Sequence, residues 1–167
     1  MTHIPNKHPS WRFTVAHPAH FLALGFGLGL SKYVPGTVGT LLGWMVYVIV
    51  NPVMSNQAWC VSIVVAFVIG IKLCDVTGKA LGMPDHSAIV WDEMVAIWLV
   101  LWVASDHLAS PFGQLVCVVV FRFFDMVKPP PIDWFDRRFK NGFGVMLDDM
   151  VAAALSLLVL AIGIRFL

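Results

Sequence analysis

Long apolar runs separated by short polar or proline-containing breaks dominate the chain. Five such runs follow a glycine-rich stretch, and they cover residues 38–50, 58–73, 89–104, 112–127 and 150–167. The runs predict helices, although most are shorter than the roughly 20 residues that cross the hydrocarbon core of a bilayer. We therefore expect an all-α fold, a multi-helix integral membrane bundle of about five apolar helices. The shorter runs are equally compatible with core helices that do not cross the membrane.

The N-terminal part of the chain differs from these runs. Residues 1–18 are polar and rich in histidine and proline, which predicts a flexible leader. Residues 19–30 are apolar but too short to span a bilayer, so we expect a short interfacial helix there. The N-terminus lacks a short apolar segment followed by a small-residue cleavage site, and a removable signal peptide is not expected. Residues 19–167 then form a single helical membrane domain.

The composition supports a membrane protein. Hydrophobic residues make up 59% of the chain and charged residues 13%, whereas a typical soluble domain has about 45–50% apolar and about 25% charged residues. The net charge of +1 and the lack of a lysine-rich run argue against a nucleic-acid-binding surface. The three cysteines lack CxxC spacing and lie in apolar runs, so they are interpreted as small buried hydrophobic residues. The expected partner is lipid.

Basic residues alternate between successive connections, as expected for segments that cross a membrane. Lysine and arginine occur in the leader and in the connections at 72–88 and 128–149, whereas the connections at 51–57 and 105–111 contain none. Cytoplasmic connections are enriched in basic residues. The N-terminus and the two basic connections are therefore predicted to face the cytoplasm.

Charged residues lie near the predicted ends of three apolar helices. They are Asp92 and Glu93 near the start of the third run, Arg122, Asp125 and Lys128 at i, i+3 spacing where prolines end the fourth, and Asp148 and Asp149, which are expected to open the last helix. Ionised groups in such positions are costly unless paired, so they indicate a functional site. Carboxylates are ligands that Mg²⁺ and Mn²⁺ prefer. The alternative is a metal-free ion-pair cluster, but five carboxylates outnumber two cations.

A glycine-rich segment, GFGLGLSKYVPGTVGT, covers residues 25–40. Glycines let backbone N–H groups approach an anion, and the segment also offers hydroxyl and ammonium donors for a phosphate. It matches neither GxGxxG, because position 30 is leucine, nor GxxxxGK[ST]. Taken alone, a glycine-rich turn between two helices is the simpler interpretation.

Four blocks of the chain together resemble one known family. The segment at 25–40, then DHSAIVWDE, FRFFDMVKPPPIDWFDR and NGFGVMLDDMVAA, are similar in order and spacing to the bacterial phosphatidylglycerophosphatase A family, from about His17 to Leu158. The resemblance implies a Mg²⁺-dependent phosphatase of the bacterial inner membrane, with its site on the cytoplasmic face. Its substrate would be phosphatidylglycerophosphate and its lipid product phosphatidylglycerol. No oligomeric state is implied.

The resemblance also implies roles for matching residues of this chain. The expected metal ligands are Asp92, Glu93, Asp125, Asp148 and Asp149. The expected catalytic residues are Asp92, Glu93, Asp149 and His86. The expected phosphate-binding residues are Gly36, Thr37, Gly39, Arg122 and Lys128. His86 is expected to donate a proton to the leaving glycerol oxygen. The chain departs from the family pattern at Ser31 to Tyr33, Thr40 and Ala96, so Lys32 receives no role.

The chain lacks the residues that other phosphatase mechanisms require. Four residues separate Cys117 from Arg122 in an apolar run, whereas a cysteine phosphatase needs five intervening residues in an anion-binding loop. No DxDx[TV] motif and no phosphohistidine motifs occur, which leaves a water molecule activated by metal as the expected nucleophile. Two other classes of function remain as alternatives. A CDP-alcohol phosphotransferase-like enzyme would need a DGxxAR motif that is missing, and a non-enzymatic membrane scaffold would not need the carboxylates.

Overall fold

The computed structural model describes residues 8–130 and 138–166, and within these ranges the chain is helical and contains no strand. The α-helices described are α1 (Trp11–Val15), α2 (Pro18–Ala23), α3 (Pro35–Val50), α4 (Asn56–Leu81), α5 (Trp91–Leu108), α6 (Pro111–Val127) and α7 (Gly142–Ile164). Two 3-10 helices, Gly25–Leu30 and Asn51–Val53, precede and follow α3. The predicted all-α fold is confirmed, and each of the five apolar runs corresponds to one of the helices α3 to α7.

Helix α5 lies at the centre of the bundle. It packs against α3, α4, α6 and α7. Its residues Val95, Ala96, Ile97 and Val100 have no exposed surface. A helix that is apolar on all sides is stable only when other elements cover it, which explains why this helix became the core.

Three stretches of the described chain are long and apolar enough to cross a membrane: Pro35–Val53, Asn56–Leu81 and Gly142–Ile164. Their outward faces remain apolar. On the second stretch, for example, Val61 and Val68 are 61% and 57% exposed. Apolar surface of this extent is typical of contact with lipid. Helices α5 and α6 are shorter, with 18 and 17 residues, and they carry charged ends.

Helix α4 extends further than the apolar run that predicted it. It continues through Asp75 and Lys79, whose ion pair at i, i+4 spacing supports the last turns. It ends at Gly82, which adopts the left-handed conformation with φ 74°. The polar stretch predicted as a connection is therefore partly helical, because an ion pair between side chains can stabilise helical turns beyond the last apolar residues.

Asp148 and Asp149 do not open the last helix, and that prediction was wrong. Helix α7 begins at Gly142, and Asn141 caps it by accepting a hydrogen bond over 3.0 Å from a backbone N–H of the first turn. A Cβ at Gly142 would overlap the backbone of α4. The start of α7 is thus pressed against α4, and both carboxylates lie in its second turn.

The described part of the N-terminal segment contains two short α-helices. Helix α1 lies within the predicted flexible leader; Ser10 caps it and Thr14 is buried. Residues 1–7 lie outside the described ranges. The predicted interfacial helix is divided between α2 and Gly25–Leu30. The backbone N–H of Val90 donates a hydrogen bond over 2.9 Å to the carbonyl of Ala23, which ties this segment to the start of α5.

Candidate active site

Helix α3 approaches α5 through a face of glycines. Gly36, Gly39 and Gly43 are spaced i, i+3, i+7 and so share one side of α3. A Cβ at Gly39 would lie 2.5 Å from the Cβ of Val90, and one at Gly43 would lie 2.6 Å from the side chain of Ile97. These glycines permit close helix packing. They lie within α3 and not in a loop between two helices.

Gly36 lies where α3, α5 and α6 meet. A Cβ at this position would overlap Oε1 of Glu93 and lie 3.1 Å from both terminal nitrogens of the Arg122 guanidinium. Thr37, the next residue along α3, is half-buried. The absence of a side chain at Gly36 therefore brings the first turn of α3 directly against two charged groups of other helices.

Three carboxylates from α5 and α7 converge. Asp92, Glu93 and Asp149 each place one oxygen within 4.8 Å of the other two. Asp92 and Asp149 are buried, and the Glu93 side chain is 12% exposed. Among the described residues, Asp92 Oδ1, Glu93 Oε2 and Asp149 Oδ2 have no hydrogen-bond partner. Buried, unpaired carboxylate oxygens are costly. Because a divalent cation would satisfy them, the three residues fit Mg²⁺ or Mn²⁺.

Arg122 is engaged mainly with Asp125. Its Nη1 donates a hydrogen bond to Asp125 and lies 3.7 Å from Oε1 of Glu93. The side chains of the Arg122–Asp125 pair are 14% and 11% exposed. Nε of Arg122 has no partner among the described residues. The guanidinium thus neutralises one carboxylate and keeps donor capacity for an anion.

Lys128 is engaged in the same way with Asp148. Its Nζ donates a hydrogen bond over 2.5 Å to Asp148 Oδ2 and lies 3.9 Å from Oδ2 of Asp85. Burial alone would lower the pKa of Lys128, but the charge and hydrogen bond of Asp148 outweigh it, so the pKa is raised. Lys128 also adopts a left-handed conformation, φ 44°, that ends α6. Such conformations are uncommon outside glycine.

The metal-free ion-pair alternative therefore explains only part of the cluster. Arg122 and Lys128 form their shortest ion pairs with Asp125 and Asp148. In the described parts of the chain, no basic nitrogen lies within salt-bridge distance of Asp92 or Asp149. The negative charge of these carboxylates requires a counter-ion from outside the chain or protonation.

One cavity of about 250 Å³ joins the three convergent carboxylates to the ion pairs. It is lined by Asp85, Ser87, Ile89, Asp92, Glu93, Arg122, Asp125, Met126, Lys128, Asp148 and Asp149. All five predicted metal ligands and both predicted phosphate-binding cations thus share one cavity. Its volume lies just below the roughly 300–1,000 Å³ of drug-sized ligand sites.

Four predicted site residues do not line this cavity: Gly36, Thr37, Gly39 and His86. His86 is buried, and its Nδ1 accepts a hydrogen bond over 3.1 Å from the N–H of Ala88. In the neutral ring, Nε2 therefore carries the proton. Burial lowers the pKa of His86 below its ordinary value of 6.5. The histidine is consequently neutral at pH 7.

Sequence reasoning missed two polar residues that line the cavity, Asp85 and Ser87. Both are exposed residues of the connection before α5, and they flank His86 in a block already singled out. Exposed polar residues in a connection usually indicate only solvation. The available signal was their proximity to Asp92 and Glu93 in sequence, which did not reveal that Asp85 faces Lys128.

Comparison with known proteins identifies relatives of this chain. The family model described as Phosphatidylglycerophosphatase A matches residues 21–164, which include every site residue described above. The chain is 38% identical over 153 residues to Phosphatidylglycerophosphatase A of Haemophilus influenzae, covering 92% of this chain and 93% of that one. It is also 38% identical over 154 residues to Phosphatidylglycerophosphatase A of Escherichia coli, covering 87% and 83%.

A third relative has a different name. A Putative phosphatidylinositol-3-phosphatase of Bacteroides thetaiotaomicron is 32% identical over 146 residues, covering 85% of this chain and 91% of the relative. No solved structure matches the chain. The family model and the two relatives at 38% identity extend over most of the chain, and the charged residues predicted from the four sequence blocks share one cavity. The chain therefore belongs to the phosphatidylglycerophosphatase A family.

Proposed function

We propose that the protein hydrolyses the terminal phosphate of phosphatidylglycerophosphate to give phosphatidylglycerol and inorganic phosphate. The observation that carries the proposal is the convergence of Asp92, Glu93 and Asp149 beside two cations at one end of an apolar helical bundle. A phosphate monoester needs cationic groups, and its lipid tails need an apolar surface. The family membership supports this substrate over other phosphorylated compounds.

Asp92, Glu93 and Asp149 would hold Mg²⁺ or Mn²⁺ through the oxygens that lack a partner. When bound, the cation supplies positive charge to the phosphoryl group and lowers the pKa of a water molecule. The chain itself contributes Arg122 and Lys128, which bind phosphate oxygens and orient the headgroup. Asp125 and Asp148 position these two cations through the ion pairs described above.

The reaction forms one bond from a water oxygen to phosphorus and breaks the bond from phosphorus to the glycerol oxygen. Water loses a proton, and the leaving glycerol oxygen gains one. His86 remains the proposed donor of that proton. Donation requires the imidazolium form, a minority at pH 7 because burial lowers the pKa of His86, and it leaves the neutral ring behind. The adjacent residues Asp85 and Ser87 line the cavity.

We place the site at the cytoplasmic face of a bacterial inner membrane. The cavity lies at the end of the bundle where the basic connections meet, and such connections favour the cytoplasmic side. In that position the headgroup phosphate reaches the cavity while the acyl chains stay in the leaflet. The enzyme then has no need to extract its substrate from the bilayer.

The test is phosphate release by the purified protein from phosphatidylglycerophosphate in neutral detergent micelles. Activity should be abolished by EDTA, restored by Mg²⁺ and absent in Asp149→Asn at an unchanged melting midpoint. Phosphatidylinositol 3-phosphate serves as a competing substrate, because one relative is named for it. Faster release from that lipid would overturn the proposed substrate. CMP release from CDP-diacylglycerol would indicate the phosphotransferase alternative, and no turnover of any lipid would indicate a scaffold.

A further inference from the structure

A second polar cavity lies between α4 and α7. Its volume is about 440 Å³. The residues that line it are Ile71, Lys72, Asp75, Lys79, Lys140, Asn141, Gly142 and Phe143. None of them lines the cavity of the candidate active site. We propose that this second cavity binds the headgroup of an anionic phospholipid as a site separate from the catalytic one.

The charge of the second cavity favours an anion. Three lysines line it, against the single carboxylate of Asp75. Lys79 and Asp75 form an ion pair of 2.5 Å, with side chains 75% and 32% exposed. That pair is neutral, so Lys72 and Lys140 supply the net positive charge from two different elements. Basic pockets between helices at the cytoplasmic side of a membrane bind acidic lipid headgroups.

The same face of α4 changes from apolar to basic along its length. Lys72 and Lys79 are seven residues apart and therefore lie on one stripe. Continuing toward the middle of the helix, Val68, Val65 and Val61 lie four, seven and eleven residues before Lys72. They are 57%, 48% and 61% exposed. An anionic headgroup beside the lysines would therefore have its acyl chains alongside this valine stripe.

An aromatic ring lines the cavity opposite the lysines of α4. Phe143, at the start of α7, is 37% exposed and lines the cavity. Its ring contacts Phe67 of α4 edge to face, with centroids 6.4 Å apart, and also Phe139 at 5.8 Å. The lysines and the Phe143 ring thus line the same cavity. Asn141 is already occupied as the cap of α7, so recognition rests on the lysines and not on the helix terminus.

These features distinguish a lipid from a soluble anion. Inorganic phosphate would use only the lysines and would gain nothing from the Phe143 ring or the valine stripe. A phospholipid matches both the lysines and the apolar residues. Its charged headgroup would lie beside the lysines, and its acyl chains would extend along the valine stripe. The inference does not depend on the proposed reaction, since the two cavities have no lining residue in common.

The test measures phosphatidylglycerol binding to the full chain by native mass spectrometry from neutral detergent, with phosphatidylcholine of the same acyl chains as reference. The Lys72→Gln/Lys140→Gln variant should bind phosphatidylglycerol about 30-fold more weakly, since each lysine near the surface contributes about fivefold. Each single variant should show about the fivefold loss. Phosphatidylcholine binding should not change. A matched control, Arg12→Gln/Lys32→Gln, removes two exposed charges outside both cavities and should retain wild-type binding.

Three outcomes would overturn the proposal. They are unchanged phosphatidylglycerol affinity in the lysine variants, an equal loss in the control, and displacement of the lipid by inorganic phosphate or glycerol 3-phosphate at comparable concentrations. Phosphate release from phosphatidylglycerophosphate is measured on the same samples. The lysine variants should retain it at saturating substrate, and a parallel loss would assign the lysines to the catalytic site. If the wild type released no phosphate, the proposed function would fail while lipid binding still tested the second site.

Discussion

Lys128 and Asp148 are twenty residues apart in the sequence, yet a hydrogen bond of 2.5 Å joins their side chains. The bond links the end of α6 to the second turn of α7. The Asp148 side chain is 4% exposed and that of Lys128 is 28% exposed. Removing one member of such a pair leaves a buried charge without compensation, whereas removing both does not.

Lys128→Met is therefore expected to destabilise the protein by about 3–5 kcal/mol in the presence of EDTA, because the buried Asp148 carboxylate loses the hydrogen bond from Lys128. The Lys128→Met/Asp148→Asn double variant should recover most of that loss. Melting midpoints in detergent, compared across the cycle of single and double variants, provide the measurement. Additive effects of the two substitutions would show that the pair is not coupled.

Gly36→Ala is expected to lower phosphate release at least about tenfold, since a 1 Å displacement of reacting groups can cost about 100-fold. The added Cβ would overlap Oε1 of Glu93 and press on Arg122. Both contacts involve the ends of flexible side chains, which should move without unfolding the protein. Gly163→Ala is the control, because no atom lies within 4 Å of its added Cβ. A wild-type rate for Gly36→Ala would show that this contact does not matter.

Metal binding is expected to depend more on Asp149 than on Asp125. Asp149 belongs to the three convergent carboxylates, whereas Asp125 is bound to Arg122. Asp125→Asn should weaken Mn²⁺ binding by no more than the roughly 10- to 100-fold typical of residues that support a ligand, and Asp149→Asn should exceed that. Mn²⁺ titration followed by electron paramagnetic resonance measures this without turnover. Equal losses would place Asp125 among the ligands.

The buried state of His86 predicts a pH dependence of stability. Burial lowers its pKa below 6.5 in the folded protein, so the folded state binds this proton less readily than the unfolded chain. The corresponding stability is present above about pH 6.5 and is lost as the pH falls through the lowered folded pKa. His86→Asn, whose oxygen can accept the N–H of Ala88, should lose less stability on acidification. Melting midpoints from roughly pH 5 to pH 8 should diverge below pH 6.5; parallel curves would contradict the prediction.

Much of the fold could be predicted because hydrophobicity dominates in so apolar a chain. The five apolar runs correspond to helices α3 to α7, and burial of Val95 to Ile97 explains why the third run became the centre. Helix ends were predicted less well. The start of α7 at Gly142 depends on a cap at Asn141 and on contact with α4, and neither feature contributes to hydrophobicity.

The candidate site was predictable in its residue types but not in its arrangement. Charged groups beside apolar helices are costly, so their presence alone indicated a site. Gly36 was expected in a loop but lies in the first turn of α3, because a glycine that permits helix contact and one that permits a turn look alike in sequence. Asp85 was missed since only the position of Lys128 in space gives it a partner.

The sequence by itself determined a helical, membrane-type chain of the phosphatidylglycerophosphatase A family, together with the charged residues available for its chemistry. Only the tertiary structure decided that Asp125 and Asp148 are paired with cations while the remaining three carboxylates converge. The physical reason is distance. Burial cost depends on residue type and can be read along the chain, but ion pairing and metal ligation depend on a few ångströms between helices that are far apart in sequence.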